Sequence, residues 1–245
     1  MTMAKIHSIE TMGLVDGPGI RFVVFMQGCK LRCKYCHNPD TWNASKGEEI
    51  SSVELLNKVK KYKIYFKNSG GGVTLSGGDP LLQPEFLKEF FKMCKEEDIN
   101  TCLDTAGFGF GDYDDILKYT DLVLLDIKHI NESMHKDLTG QTRESFLEFL
   151  DAVKRNSIKL WIRHVIVEGY TDSEEHIKKF TQYVNTIPNV EKIELLGYHT
   201  HGEHKYEKLG IKYPLKGVKA FDSDKLENLK NIVKNNLINK SIQMH

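Results

Sequence analysis

"RFVVFMQGCKLRCKYCHNPD", residues 21–40, sets an apolar, β-branched run directly before a loop with three cysteines. That loop admits four readings. From Cys33 onward, "CKYCH" has the C-x-x-C-H spacing of a c-type haem attachment, and Cys33 with Cys36 alone has the spacing of a redox pair. Adding Cys29 and His37 gives a set of zinc-type ligands. Cys29, Cys33 and Cys36 together, C-x3-C-x2-C, suit an iron–sulfur cluster with one open iron, because a cubane takes four ligands.

The chain has 245 residues, enough for one barrel or α/β domain with a substantial core, and we read residues 1–245 as a single domain. Its 34 basic and 34 acidic residues balance, so nothing marks nucleic acid or an anionic membrane as a partner. The start, "MTMAKIHSIETMG", lacks the apolar core of a secretory signal, and "FVVFM" is far short of a membrane span. Five cysteines are few for a disulfide scaffold and odd in number. A cytoplasmic protein with reduced thiols is the expectation. That weighs against haem, since c-type attachment normally takes place outside the cytosol. Zinc and iron–sulfur stay open.

Short apolar runs recur along the chain: "RFVVFMQ" (21–27), "GVTLSG" (72–77), "NTCLDT" (100–105), "LVLLDIK" (122–128), "KLWIRHVIV" (159–167) and "KIELLGY" (192–198). Their near-continuous hydrophobicity fits strands buried on both faces. Between them lie helical patterns: "SSVELLNKVKKY" with a Ser51/Glu54 capping box, "QPEFLKEFFKMCKEED" with Pro84 in its first turn, a short "DYDDILKY", "ESFLEFLDAVKRN", "DSEEHIKKFTQYVN" and "SDKLENLKNIVKNNL". Strand–helix alternation predicts a parallel α/β sheet, either an incomplete barrel or an open doubly wound sheet. Both forms bind ligands at the carboxyl ends of the strands, where the cysteine loop falls.

Three thiols among Lys30, Arg32, Lys34 and His37 make a poor core but a good metal site, since nearby positive charge favours thiolate. Structural zinc usually draws on two separated ligand pairs, and adjacent Cys36 and His37 would strain to chelate one ion. In "NSGGGVTLSGGDP", Gly77 and Gly78 let the backbone approach a ligand at a strand's carboxyl end, and no Lys-Ser/Thr follows to make a P-loop. "GFGFGD" (107–112) reads as a plain loop. Asp104, Thr105, Asp126, Lys128, Arg163 and His199 recur at or near strand ends. Each alone is most simply a paired structural group, such as Asp126 bridged to Lys128 or to Arg163, whereas their recurrence points to a shared pocket. "YHTHGEHKY", with His199, His201 and His204, reads as a solvated polar loop. Cys94 and Cys102 read as core.

At "CKLRCKYCH" followed by "SGGDP", the chain resembles the radical S-adenosylmethionine (SAM) enzymes. With "DGPGIRFVVFMQGC", "CHNPDTW", "TCLDT", "LLDIK", "WIRHVIV" and "KIELLGYH", it is similar over essentially its full length to the activators of glycyl radical enzymes within that family. Many of these insert a ferredoxin-like domain with further cysteines. Here Cys94 and Cys102 lie outside any cluster spacing, so the chain resembles the short type acting on pyruvate formate-lyase. The resemblance implies a partial (β/α)6 barrel of the radical SAM type and one 4Fe–4S cluster on Cys29, Cys33 and Cys36. It also implies one electron from a flavodoxin-like donor. SAM on the open iron would then be cleaved to methionine and a 5′-deoxyadenosyl radical, which takes hydrogen from a glycine of the partner. An activator of another glycyl radical enzyme is the nearest alternative; a zinc-stabilised binding module is the alternative from another class.

By position, Tyr35, Cys36, His37, Gly78, Asp79, Asp126, Ile127, Lys128 and His199 match the family's SAM-binding residues. Asp104, Thr105, Leu124 and Asp126 match a monovalent-cation site, and Asp16 a contact to the protein substrate. Asp79 stands where the family usually has Glu. One methylene shorter, it is expected to reach SAM through a bridging water while Gly77 and Gly78 carry the direct contact. Gly197 stands where near relatives have Pro, which is expected to loosen the His199 loop.

Overall fold

The computed structural model describes residues 1–245. In chain order the elements begin with strands β1 (Met3–Gly13), β2 (Arg21–Met26) and β3 (Glu48–Ser51), then helices α1 (Ser52–Lys60) and α2 (Lys63–Ser69). There follow β4 (Gly72–Gly77), α3 (Pro84–Glu96), β5 (Asn100–Thr105), α4 (Tyr113–Leu117) and β6 (Leu122–Asp126). Then come α5 (Glu132–Thr139), α6 (Glu144–Arg155), β7 (Lys159–Ile166) and α7 (Glu174–Val184). The chain closes with β8 (Val190–Gly197), α8 (Glu203–Leu209), α9 (Ser223–Asn236) and β9 (Gln243–Met244). No helix is long and apolar enough to cross a membrane.

The backbone gathers into two compact units, each assembled from three stretches of chain. The first comprises residues 1–30, 41–125 and 145–159; the second comprises 31–40, 126–144 and 160–245. In the first, the strands run in the order β3-β1-β2-β4-β5-β6. β1 is antiparallel to β2 and β3, whereas β2, β4, β5 and β6 are parallel. β4 is buried along nearly its whole length, as a strand covered on both faces must be. In the second unit β7, β8 and β9 are parallel neighbours, with α7 against α9 and α9 against β8. There β7 alternates: Leu160, Ile162, His164 and Ile166 are buried, and Trp161, Arg163 and Val165 only half so.

Local chemistry sets the helix ends. Ser51, Asp112, Asn131, Ser173 and Asp222 cap their helices through side-chain oxygens, each satisfying an otherwise orphaned first-turn N–H. All six predicted strands and all the predicted helices are present. β1, β3, β9, α2, α5 and α8 are additions, and α8 replaces part of the loop expected around His204.

Candidate functional site

In the first unit, the site residues cluster where β2, β4 and β5 end. Gly77 has φ +102°, and a Cβ on it would sit 2.5 Å from the Met26 nitrogen. A Cβ on Gly78 would sit 2.0 Å from the Gly28 carbonyl oxygen. The close approach that these glycines permit is therefore to the backbone immediately before Cys29. It is locked by the Asp79 N–H, which donates to the Gly28 carbonyl at 2.8 Å, while the Cys29 N–H donates to Trp42 at 3.3 Å.

Asp79 lies inside this turn. Its side chain is fully buried, and its Oδ1 accepts from the Thr105 hydroxyl (2.7 Å) and the Leu81 N–H (3.2 Å). Its Oδ2 accepts from the N–H groups of Ala106 (3.2 Å) and Phe108 (3.4 Å). The shorter side chain thus joins the turn after β4, through Leu81, to Thr105 and the loop after β5. Burial raises its pKa to about 6, against those four hydrogen bonds. Thr105, expected at a cation, thus turns its hydroxyl to Asp79. Asp104, opposite Leu124 in the β5–β6 register, accepts from the Ser76 hydroxyl at 2.7 Å.

The "DGPGIR" stretch is anchored by Arg21, which is fully buried. Its guanidinium donates to Thr74 Oγ1 (2.9 Å), Asn100 Oδ1 (2.8 Å) and the Val73 carbonyl, and Thr74 Oγ1 donates to the Asp16 carbonyl at 2.7 Å. Arg21 and Thr74 thus fix the backbone at Asp16. Leu14 and Val15 beside it are exposed. Cys94 and Cys102 are buried, as expected of core.

The second unit holds most of the remaining candidates. The cysteine loop is laddered onto the end of α5: the Arg32 N–H donates to Thr139 (2.7 Å) and the Lys34 N–H to Leu138 (2.9 Å). The Cys36 N–H closes a turn on the Cys33 carbonyl at 3.0 Å. None of the five cysteines is in a disulfide. Burial pushes the Cys33 thiol up to about 12 despite nearby Lys128, so neighbouring cations do not by themselves make a thiolate here. A metal would have to displace that proton.

Asp126 and Lys128 pair at 2.7 Å, one of the two bridges open from sequence, while Arg163, the other candidate partner, takes Glu194 at 2.8 Å. Lys128 lies 5.7 Å from the Tyr35 ring centroid. The Tyr35 hydroxyl is buried and has no hydrogen-bond partner. His37 stacks on His199 with ring centroids 3.8 Å apart, and its Nε2 lies 3.0 Å from the His199 carbonyl, which can only accept. Burial, then His199, lowers the His37 pKa to about 4. It is a neutral donor serving the His199 turn. No three Cys, His, Asp or Glu side chains converge as a cage for a single ion.

Sequence reasoning missed Lys205 and Tyr206. Lys205 Nζ reaches Asn38 Oδ1 (2.8 Å) and Asp40 Oδ2 (3.0 Å), and the Tyr206 hydroxyl donates to the Cys36 carbonyl (3.1 Å). A Cβ on Gly202 would come within 2.7 Å of the His37 Cα, so α8 closes tightly over this loop. Nor does Gly197 leave the His199 loop loose. Tyr198 N–H donates to Ile166 (2.9 Å), and its carbonyl accepts from Phe221 (2.8 Å).

Residues 23–181 match the family described as the radical SAM superfamily. The chain belongs to the radical SAM superfamily. Among its radical SAM relatives, the pyruvate formate-lyase-activating enzyme of Clostridium pasteurianum is 56% identical over 234 residues, covering 96% of this chain and 98% of that protein. The pyruvate formate-lyase 1-activating enzyme of Escherichia coli (strain K12) is 44% identical over 235 residues, covering 94% and 95%. The crystal structure of a domain of pyruvate-formate lyase-activating enzyme from Bacteroides vulgatus matches with TM-score 0.57 at 23% identity, over 72% of this chain and 98% of that one. The expected fold class, α/β with a partial (β/α)6 barrel of the radical SAM type, is met, β2, β4, β5, β6, β7 and β8 being the six expected strands. A 4Fe–4S cluster and SAM come with the family. The residues present suit them, with three thiols outside any disulfide and an unpartnered buried tyrosine hydroxyl next to the Asp126–Lys128 pair.

Proposed function

We propose that this chain is an activating enzyme that cleaves SAM reductively and takes a hydrogen atom from a glycine of pyruvate formate-lyase, leaving a glycyl radical. The observation that carries this reading is the assembly of Cys33, Tyr35, Cys36 and His37 with Lys128, Asp126 and His199 in one unit, the Tyr35 hydroxyl unpartnered among them. When bound, a 4Fe–4S cluster would supply the one-electron chemistry that cleaves SAM. Cys29, Cys33 and Cys36 would hold the cluster. Tyr35, Cys36, His37, Gly78, Asp126, Ile127, Lys128 and His199 bind and orient SAM. Asp79 acts behind them by fixing the Gly78 turn.

In this reading Asp126 and Lys128 present a charge of each sign in a partly dehydrated place, suited to a ligand that carries both an ammonium and a carboxylate. His37 and His199 offer stacked neutral faces. Asp104, Thr105, Leu124 and Asp126 are assigned to a monovalent cation. Asp16, on its Arg21-anchored backbone, faces the protein substrate. A flavodoxin-like protein supplies the electron in the cytoplasm, and residues 1–245 work as one domain. The test is anaerobic reconstitution, reduction with dithionite and addition of SAM with and without pyruvate formate-lyase. Formation of 5′-deoxyadenosine together with loss of hydrogen from the partner's glycine supports the reading. SAM cleavage that activates only another glycyl radical enzyme moves the assignment to that partner.

A further inference from the structure

Three histidines with no part in this account lie buried together in the second unit: His129 in the loop after Lys128, His164 on β7 and His176 on α7. His164 is fully buried, between Phe180 (ring centroids 4.4 Å apart, 15° between planes) and His176 (5.1 Å, 21°). His129 lies 4.5 Å from His176. Burial first, and neighbouring histidines second, bring His164 down to about 3 and His176 to about 4, so these imidazoles are neutral.

A neutral imidazole has one donor and one acceptor nitrogen, and its surroundings settle which is which. His164 Nδ1 lies 2.6 Å from the Ile127 carbonyl oxygen, which can only accept, so Nδ1 carries the proton. Its Nε2 is then an acceptor, and His176 Nε2, 2.9 Å away, must donate to it. His129 Nδ1 accepts the Asn131 N–H at 2.9 Å, which leaves its Nε2 to donate to the Tyr170 carbonyl at 3.3 Å. No tautomer is left open.

This chain of donors ends on Ile127, one residue beyond β6. The Ile127 N–H donates to the Arg163 carbonyl at 2.9 Å, so both of its backbone groups are held, one by backbone and one by a side chain. In extended backbone, neighbours on either side of a residue point the same way, opposite to it. Asp126 and Lys128 accordingly meet each other at 2.7 Å, while Ile127 is buried. Fixing the Ile127 carbonyl fixes the peptide plane from which Lys128 departs. A core position here needs only an apolar ring; a donor aimed at this carbonyl has a further purpose.

We propose that His164 is a positioning residue for SAM: its Nδ1–H holds the Ile127 carbonyl and so sets the Asp126–Lys128 pair, while His176 holds the tautomer that lets it donate. This rests on the reading that Asp126 and Lys128 bind SAM. The test compares His164→Phe, His164→Asn, His176→Phe and Asp126→Asn as reconstituted holoenzymes, measuring iron and sulfide content, thermal melting and SAM affinity by equilibrium dialysis. His164→Phe is expected to weaken SAM binding about tenfold at unchanged iron content, the loss of one well-placed hydrogen bond. His164→Asn puts an amide N–H where Nδ1 stood and is expected to restore most of that affinity. His176→Phe, which frees the His164 tautomer from outside, is expected to weaken SAM binding by a smaller factor and stands in if His164→Phe does not fold. Unchanged affinity in both phenylalanine variants, with Asp126→Asn weakened, overturns the inference and leaves the SAM reading standing. Equal losses in His164→Phe and His164→Asn also overturn it, since packing alone then explains them. Unchanged affinity in Asp126→Asn overturns both.

Discussion

Thr105 donates its hydroxyl to Asp79 across 26 positions of sequence, Oγ1 to Oδ1 at 2.7 Å, and both side chains are buried. Three backbone N–H groups complete the carboxylate's shell, so Asp79 ties the turn after β4 to the loop after β5. Asp79→Asn must set an NH2 against donors on one side or the other. It should destabilise the fold by about 1–3 kcal/mol, the usual penalty for unpaired buried donors, and change SAM affinity far less.

The same carboxyl gives a pH signature. Its folded pKa, raised from 3.8 to about 6, means that the native state holds the proton more tightly than the unfolded chain. The stability contributed by this group is therefore complete below pH ~4 and falls, by roughly 3 kcal/mol, as pH rises through ~6. Asp79→Asn lacks that fall, so its deficit against the parent should be larger at pH 4.5 than at pH 7.5 in urea unfolding of the cluster-free protein. A deficit that grows with pH contradicts this account of Asp79.

Gly78→Ala should damage the cluster site before anything else. Its Cβ would lie 2.0 Å from the Gly28 oxygen, next to Cys29, and forced overpacking typically costs about 1–3 kcal/mol. Iron retained after reconstitution should drop. Gly70→Ala, at a helix end with nothing within 4 Å of the added carbon, should leave iron content unchanged.

Cys29→Ser, Cys33→Ser and Cys36→Ser should each abolish cluster binding, while Cys94→Ala and Cys102→Ala keep it, because the last two are buried in α3 and β5. Iron and sulfide analysis decides. Loss of the cluster in Cys94→Ala at an unchanged melting temperature would show the ligand assignment to be wrong.

Tyr206→Phe removes the hydrogen bond from α8 to the Cys36 carbonyl, worth about 1 kcal/mol. It should speed loss of iron to a chelator while leaving the melting temperature nearly unchanged. An unaltered rate means that α8 does not brace the loop.

The strands and the cysteine loop were legible because their signals are local: apolar runs of a few residues, and three cysteines within eight positions. β1 escaped because register shifts at Ile6/Ser8 and Glu10/Gly13 break its alternation. α5 and α8 are short, and α8 buries only Tyr206, too little for a helical stripe. "LVLLDIK" reads two residues too long as a strand, since the Ile127 carbonyl is taken by His164. Asp79's partners lie up to 29 positions away, and His129, His164 and His176 are scattered over 48 residues. Such pairings exist only once the sheet has formed.

The most direct test of the central claim is the EPR spectrum of pyruvate formate-lyase after anaerobic incubation with the reconstituted, reduced protein and SAM. The account predicts a glycyl radical signal that needs both SAM and the intact Cys29, Cys33 and Cys36. Absence of that signal, with the cluster loaded and SAM cleaved, would contradict it.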